Sequence, residues 1–186
     1  HEPRVSADVG MNRFVWDLRY PPARKLAGDS TTDDRIFGIT APPGTYQVCL
    51  AVEDQTLSRS FEVRKDPRLS ASQKDLEEQF ALLMKIRDKV SETHDAINKL
   101  RNVRLQVNEW ASRAEGHPAS QTVSDAAEKV SGKLIEIGDE LVQSKTVHAM
   151  DKFNFPVQLN SKLAHLNTVV SGNDGVPTQR TYEVVE

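Results

Sequence analysis

Cysteine is nearly absent: Cys49 stands alone among 186 residues, which excludes an internal disulfide framework and a cysteine-based metal cage. A basic surplus is also missing. Lys plus Arg total 24 against 27 for Asp plus Glu, a net charge of −3, so no field exists to recruit nucleic acid or an anionic membrane. Ten charges of each sign lie in residues 1–68, leaving the acidic excess to the remainder. No apolar run approaches the ~20 residues of a membrane span. No charged and then apolar leader opens the chain, so a signal peptide is not expected in it. Nucleotide loops of the Gly-x-Gly-x-x-Gly or phosphate-loop type and the Gly-x-Ser-x-Gly elbow are absent too. The five histidines, His1, His94, His117, His148 and His165, show no zinc-pair spacing. No metal, no cofactor and no catalytic residue is therefore expected.

What is present has two grammars. Early in the chain, period-two alternation marks half-buried strands. Phe14, Trp16 and Leu18 alternate with Arg13 and Asp17. Tyr46, Val48, Leu50 and Val52 share one face of a second strand, with Thr45, Gln47, Cys49 and Ala51 on the other. Cys49 on that face reads as a small packing residue. Leu57, Phe61 and Val63 suggest a third strand, reached through a hairpin tip at Glu53-Asp54-Gln55. The stretch Pro21 to Asp34 has no periodicity and reads as a long exposed loop.

At Asp66-Pro67 the period changes, because proline pushes its predecessor out of the helical region. Ser70-x-x-Gln73 resembles a capping box. Leu76, Leu83, Ile86, Val90, Ile97, Leu100 and Val107 then form one stripe, interrupted by Thr93 and Arg104. Nothing breaks the chain before Gly116-His117-Pro118, which predicts a helix of about 40 residues with coiled-coil-like spacing. A second helix from Ser120 to Lys145 carries Val123, Ala127, Val130, Leu134, Ile137 and Leu141. The short linker makes the pair antiparallel. Met150 to Pro156, with Phe153 and Phe155, is expected to pack aromatic weight under the next element. A third helix holds Leu159, Leu163, Leu166 and Val170, and Val176-Pro177-Thr178-Gln179 opens a fourth that reads as cut short.

The predicted fold class is α+β. A small antiparallel Ig-like β-module at residues 1–67 precedes a helical domain at 68–186, a long antiparallel hairpin with one or two shorter packing helices. The first six apolar residues of the long stripe, Leu76 to Leu100, are its expected packing and interaction surface. An uncovered groove near Leu76 to Leu83 would let a second copy bind, so a homodimer through the helical half is expected.

Candidate binding residues are few. Trp16 and Asp17, with Asp29, Asp33 and Asp34 of the long loop, would together stack on and hydrogen-bond a sugar. Residues 16 and 17 point to opposite faces of a strand, however, and an Asp-rich loop is also an ordinary solvated turn. The structural reading is preferred. Lys99, Arg101 and Arg104 read as charged flanks of a helix seam.

Two stretches carry a resemblance. Gly10-Met11-Asn12-Arg13-Phe14-Val15-Trp16-Asp17-Leu18-Arg19-Tyr20-Pro21 is the specific one. The other runs from Pro42-Pro43-Gly44-Thr45-Tyr46 to Val63-Arg64-Lys65-Asp66-Pro67-Arg68. They resemble the C-terminal region of bacterial sortilin-like or BNR-repeat glycosyl hydrolase proteins, in which an Ig-like module and a helical tail follow a β-propeller. The resemblance implies a non-catalytic accessory module of a larger exported protein, periplasmic or secreted, with its own N-terminal propeller as partner. The alternative is a carbohydrate-binding or glycosidase-assisting domain.

Overall fold

The longest element follows directly from the apolar stripe. In the computed structural model, which describes residues 5–32, 35–146, 151 and 154–185, helix α1 runs Gln73–Arg113, 41 residues or about 60 Å. Its start is capped by Ser72 rather than Ser70. The Ser72 hydroxyl accepts from the Asp75 backbone N–H, and the Asp75 carboxylate accepts from the Ser72 N–H. A short Asp side chain at the third helical position thus does what Gln73 was expected to do. Helix α2, Ser120–Leu141, ends four residues before Lys145 and lies antiparallel on α1. Helix α3, Leu159–Ser171, packs on another flank of α1, and α4, Gln179–Val185, closes the end beside it. Phe155 is half-buried; Met150 and Phe153 lie outside the described residues.

Two strands, β1 at Gly44–Val52 and β2 at Gln55–Val63, pair antiparallel as a hairpin. Its two-residue tip is Glu53-Asp54, where Glu53 takes φ 52°. The register sets Tyr46 opposite Phe61, Val48 opposite Arg59 and Leu50 opposite Leu57. Among the described residues this is the whole sheet, so the fold is α+β with a two-stranded ribbon and not a visible sandwich.

The expected strand at residues 12–18 does not form. Its alternation is present, but no neighbouring strand offers a ladder, and Leu18 turns into the left-handed region at φ 59°. Only Arg19 pairs, with Thr40. Phe14 and Val15 stay exposed, while the Trp16 ring packs 5.4 Å from Tyr46 and 6.0 Å from Phe61.

The loop after it is only partly exposed: Ala23, Leu26, Asp29, Thr31 and Thr32 are buried between exposed neighbours. Residues 19–32 and 35–41 form a strap seated on α1 and α3. Tyr20 N–H donates to the Ile39 carbonyl and Ala41 N–H to Leu18, each at 2.8 Å, closing the loop's neck. Gly38 sits inside that neck, where a Cβ would fall 2.5 Å from the Tyr20 carbonyl oxygen. From there the strap buries Ala23, Ile36 and Ile39 in one core cluster with Leu82, Leu83, Ile86, Val90, Val170 and Val185. Leu26 joins a second cluster with Ile97 and Val142. The strap lies before Pro67 in sequence but shares the core of the helices. Ile86 is wholly buried, Leu83 nearly so, and Leu76 and Leu100 are partly covered.

At Leu83 the groove expected to admit a second copy is packed from within, while toward Leu76 it stays open as a cavity. Val170, Val185, Leu163, Leu166 and Tyr182 occupy the packed part together with the strap.

Candidate functional site

The acidic residues singled out above do different jobs. Asp29 is buried and holds the strap's far turn. Its Oδ1 accepts from the Thr31 N–H at 3.0 Å and the Thr31 hydroxyl at 2.6 Å. Its Oδ2 accepts from the Thr32 hydroxyl at 2.5 Å and from Asn160 Nδ2 at 3.1 Å. All four bonds are internal, so this carboxylate is a structural anchor between strap and α3. Ser161 adds a fifth link, its hydroxyl donating to the Thr31 carbonyl.

Trp16 and Asp17 close a local turn instead. The Trp16 Nε1–H donates to the Arg19 carbonyl at 3.1 Å, and Asp17 Oδ1 accepts from the Arg19 N–H at 3.0 Å. Trp16 packs on the hairpin while Asp29 bonds to α3, so they serve different contacts. Asp33 and Asp34 lie outside the described residues.

A polar row on α1 completes the strap's seat, and spacing alone could have found it. His94 is four residues after Val90 and three before Ile97, hence on the core row. It is wholly buried, and its Nδ1 bonds the Arg24 carbonyl at 2.5 Å, which makes Nδ1 the protonated nitrogen. Ser91 Oγ accepts from the Arg24 N–H, and the Arg24 guanidinium holds Asp95. That carboxylate keeps Arg24 more firmly protonated than usual. Arg101 donates to the Ala27 carbonyl at 2.9 Å. The basic side chain read as a seam flank is thus a strap anchor.

A cavity of about 630 Å³ lies where the hairpin base, the strap's neck, the start of α1 and the end of α3 converge. That volume suits a small molecule, and several of its polar side chains hold protein partners, while the buried Asn167 Oδ1 has none among the described residues. Lys65 Nζ donates to the Leu69 and Ala71 carbonyls. The Asp66 carboxylate takes Arg68, which holds it below the usual carboxylate range. Gln79 Nε2 donates to the Val170 and Asn173 carbonyls. Among the described lining residues there is no histidine or cysteine to serve as nucleophile or base. No cluster of three or more metal-ligating side chains occurs among the described residues.

The most distinctive surface is the hairpin itself. Side chains directly opposite share a face, so Val48, Leu50, Val52, Leu57 and Phe61 lie together with Tyr46, and Arg59 and Gln55 share that face opposite Val48 and Val52. The reverse face carries Thr45, Gln47, Cys49, Ala51, Thr56, Ser58, Ser60 and Glu62. A ribbon with one mainly apolar and one mainly polar face is built to be covered on one side. Here Trp16 covers only the base. Leu57 remains 61% exposed, and Val48, Leu50, Val52 and Phe61 are also open.

Comparison with protein-family models, with curated proteins and with solved structures finds no match to this chain. The likeness to sortilin-like proteins therefore rests on its own residues. No helix among the described residues is long and apolar enough to cross a membrane.

Proposed function

We propose that the chain is a non-catalytic docking module, and that the open face of its β1–β2 hairpin completes a β-sandwich with a sheet from a neighbouring domain. The observation that carries this is the segregation of apolar residues onto one uncovered face. Covering five side chains that are now about half exposed would contribute about 4–7 kcal/mol, and a lone two-stranded ribbon is marginal without such cover. The helices and strap act as the frame that orients the hairpin. The resemblance supplies the setting: a larger exported protein whose β-propeller this module positions, with an Ig-like sandwich as the completed fold.

The test is hydrogen exchange of the chain alone and mixed with the propeller region of the same gene product. Slowed exchange across Tyr46–Val52 and Leu57–Phe61 on mixing, abolished by Leu50→Asp, is the expected result. Unchanged hairpin exchange at saturating propeller would refute the docking role. The carbohydrate alternative rests on the part of the Trp16 ring left open beside Asp17. Sugar binding by calorimetry that is lost in Trp16→Ala, with the helical melt intact, would favour it instead.

A further inference from the structure

The distal half of α1 and its partner α2 form a two-helix arm with one flank unused. No residue of α1 beyond Ile97 is buried, and Ala127 is the one buried residue of α2. On α1, Lys99, Val103, Gln106, Trp110 and Arg113 follow steps of four and three. On α2, Ala126, Val130, Lys133 and Ile137 do the same. Such steps place each set on a single stripe.

One hydrogen bond shows that both stripes border the same groove. Ser131 Oγ donates to Asn108 Oδ1 at 3.0 Å, marking one edge of the α1–α2 seam. Trp110 lies around α1 on the other side of Val107 from Asn108, by the 100° turn per residue. Val130 and Ile137 lie likewise on the other side of Ala127 from Ser131. The Asn108 edge belongs to the row of Ile86 and Ile97, spaced by eleven residues, which meets α3 and the strap. The Trp110 edge therefore faces away from both. There Trp110 is 67% exposed, with Ile137 and Val130 also open.

Charge distinguishes among possible occupants. Lys99 and Lys133 flank the apolar row and have no ion-pair partner among the described residues, while Arg113 lies 5.6 Å over the Trp110 ring and reaches Glu109 at 3.7 Å. Glu140 continues the α2 row past Ile137, so the face keeps a small positive excess. A second copy would set two faces of the same net sign against each other, which is unfavourable. Three cations on a chain of net charge −3 make a weak platform for nucleic acid. An amphipathic helix with an apolar stripe edged by carboxylates satisfies both features at once.

We propose that this groove of the α1–α2 arm receives an acidic amphipathic helix, which completes a three-helix bundle. The proposal is independent of the hairpin reading, since it concerns the opposite end of α1. The probe is a synthetic three-heptad peptide with leucine at its core positions and glutamate at its flanks, titrated by calorimetry into the full chain. A twin peptide with lysine at the flanks is the control. Binding of the acidic peptide alone is expected, weakened about tenfold in Lys99→Glu/Lys133→Glu and lost in Trp110→Ala, with unchanged thermal melts at these exposed positions. Absence of binding, equal binding of both peptides, or binding indifferent to Trp110→Ala would overturn it. So would displacement of the peptide by phosphatidylserine vesicles, or self-association of the chain that Trp110→Ala abolishes.

Discussion

Replacing Asp29 with alanine would remove the acceptor of four buried hydrogen bonds in one step. A bond to a charged acceptor contributes about 1.5–3 kcal/mol net, and donors left unpaired add a desolvation cost. These terms are not additive within one network. The donors left behind on Thr31, Thr32 and Asn160 are neutral, so the expected loss is about 3–5 kcal/mol, the worth of roughly two such bonds. For a chain of this size, a loss of that order lowers the melting temperature by about 6–20 °C. Urea unfolding should show the midpoint fall with an unchanged slope, the mark of lost stability without a change of mechanism.

The conservative variants sharpen the test. Asp29→Asn keeps the acceptor toward Thr31 but sets an amide N–H₂ against Asn160 Nδ2, two donors face to face. Asn160→Asp sets two carboxylate oxygens together instead. Combined, the swap restores one donor and one acceptor. The residue at position 160 still accepts from the Ser161 N–H, as Asn160 Oδ1 now does at 2.7 Å. The double variant should recover at least ~1 kcal/mol relative to the sum of the singles. Strict additivity, or an Asp29→Ala cost below ~0.5 kcal/mol, would refute the anchor role and return Asp29 to the candidate ligand-binding set.

Three further outcomes follow from the same packing. Ile86→Ala, at a wholly buried position, should cost about 2–5 kcal/mol in chemical denaturation, whereas Leu105→Ala, 59% exposed, should change stability by under ~0.5 kcal/mol. Gly38→Ala should destabilise by about 1–3 kcal/mol, because the added methyl meets the Tyr20 carbonyl and not a yielding side chain; an unshifted melt would contradict the strap's neck as described. The Asp75 carboxylate is held below its ordinary range by the Ser72 N–H and hydroxyl. Its contribution is full above the ordinary carboxylate value and is lost as pH falls through the lowered one. Protection factors of the amides in the first turn of α1, corrected for intrinsic exchange, should therefore fall only below about pH 4, and Asp75→Asn should flatten that dependence.

How much of this was legible depends on what buried each residue. The 41-residue α1 and the alternating faces of the two hairpin strands were written as periodicity, because each follows from the element's own geometry. The strap was not. Ala23, Leu26, Ile36 and Ile39 recur at no fixed interval, since a path across two helices selects them and not a helix or strand period. Asp29, Thr31 and Thr32 look like a solvated turn by composition, and only the presence of Asn160, 131 residues away from Asp29, makes them a buried network. At 12–18 the pattern was right and the inference wrong, because alternation describes a strand's faces and cannot provide the neighbour that pairs with it. His94 was within reach: a polar residue on a core row calls for a partner, and the Arg24 carbonyl is that partner. For the candidate site, the open hairpin face was half-visible as the Tyr46 to Val52 row. Its lack of cover was a property of three dimensions.

Both proposed docking faces depend on α1 acting as one rigid spacer. The hairpin base is tied to its start, where Gln73 Nε2 donates to the Pro43 carbonyl at 2.6 Å, and Trp110 lies about 55 Å further along it at 1.5 Å per residue. The buried row ends at Ile97, so beyond that point α2 and the Arg101 bond to the Ala27 carbonyl steady the helix. Continuity through Asn98 is the point at issue. Spin labels at Glu77→Cys and Ser112→Cys, in a Cys49→Ser background, should give one narrow distance distribution near ~52 Å, because a straight helix fixes the separation of the two sites. Asn98→Pro removes a backbone donor and inserts a ring against the preceding turn, costing about 3 kcal/mol or more locally. That variant should broaden and shorten the distribution while the Leu83–Ile86 core keeps its protection from exchange. A broad distribution in the parent chain would show that the arm moves independently of the core, and the two faces would then be tethered and not spaced.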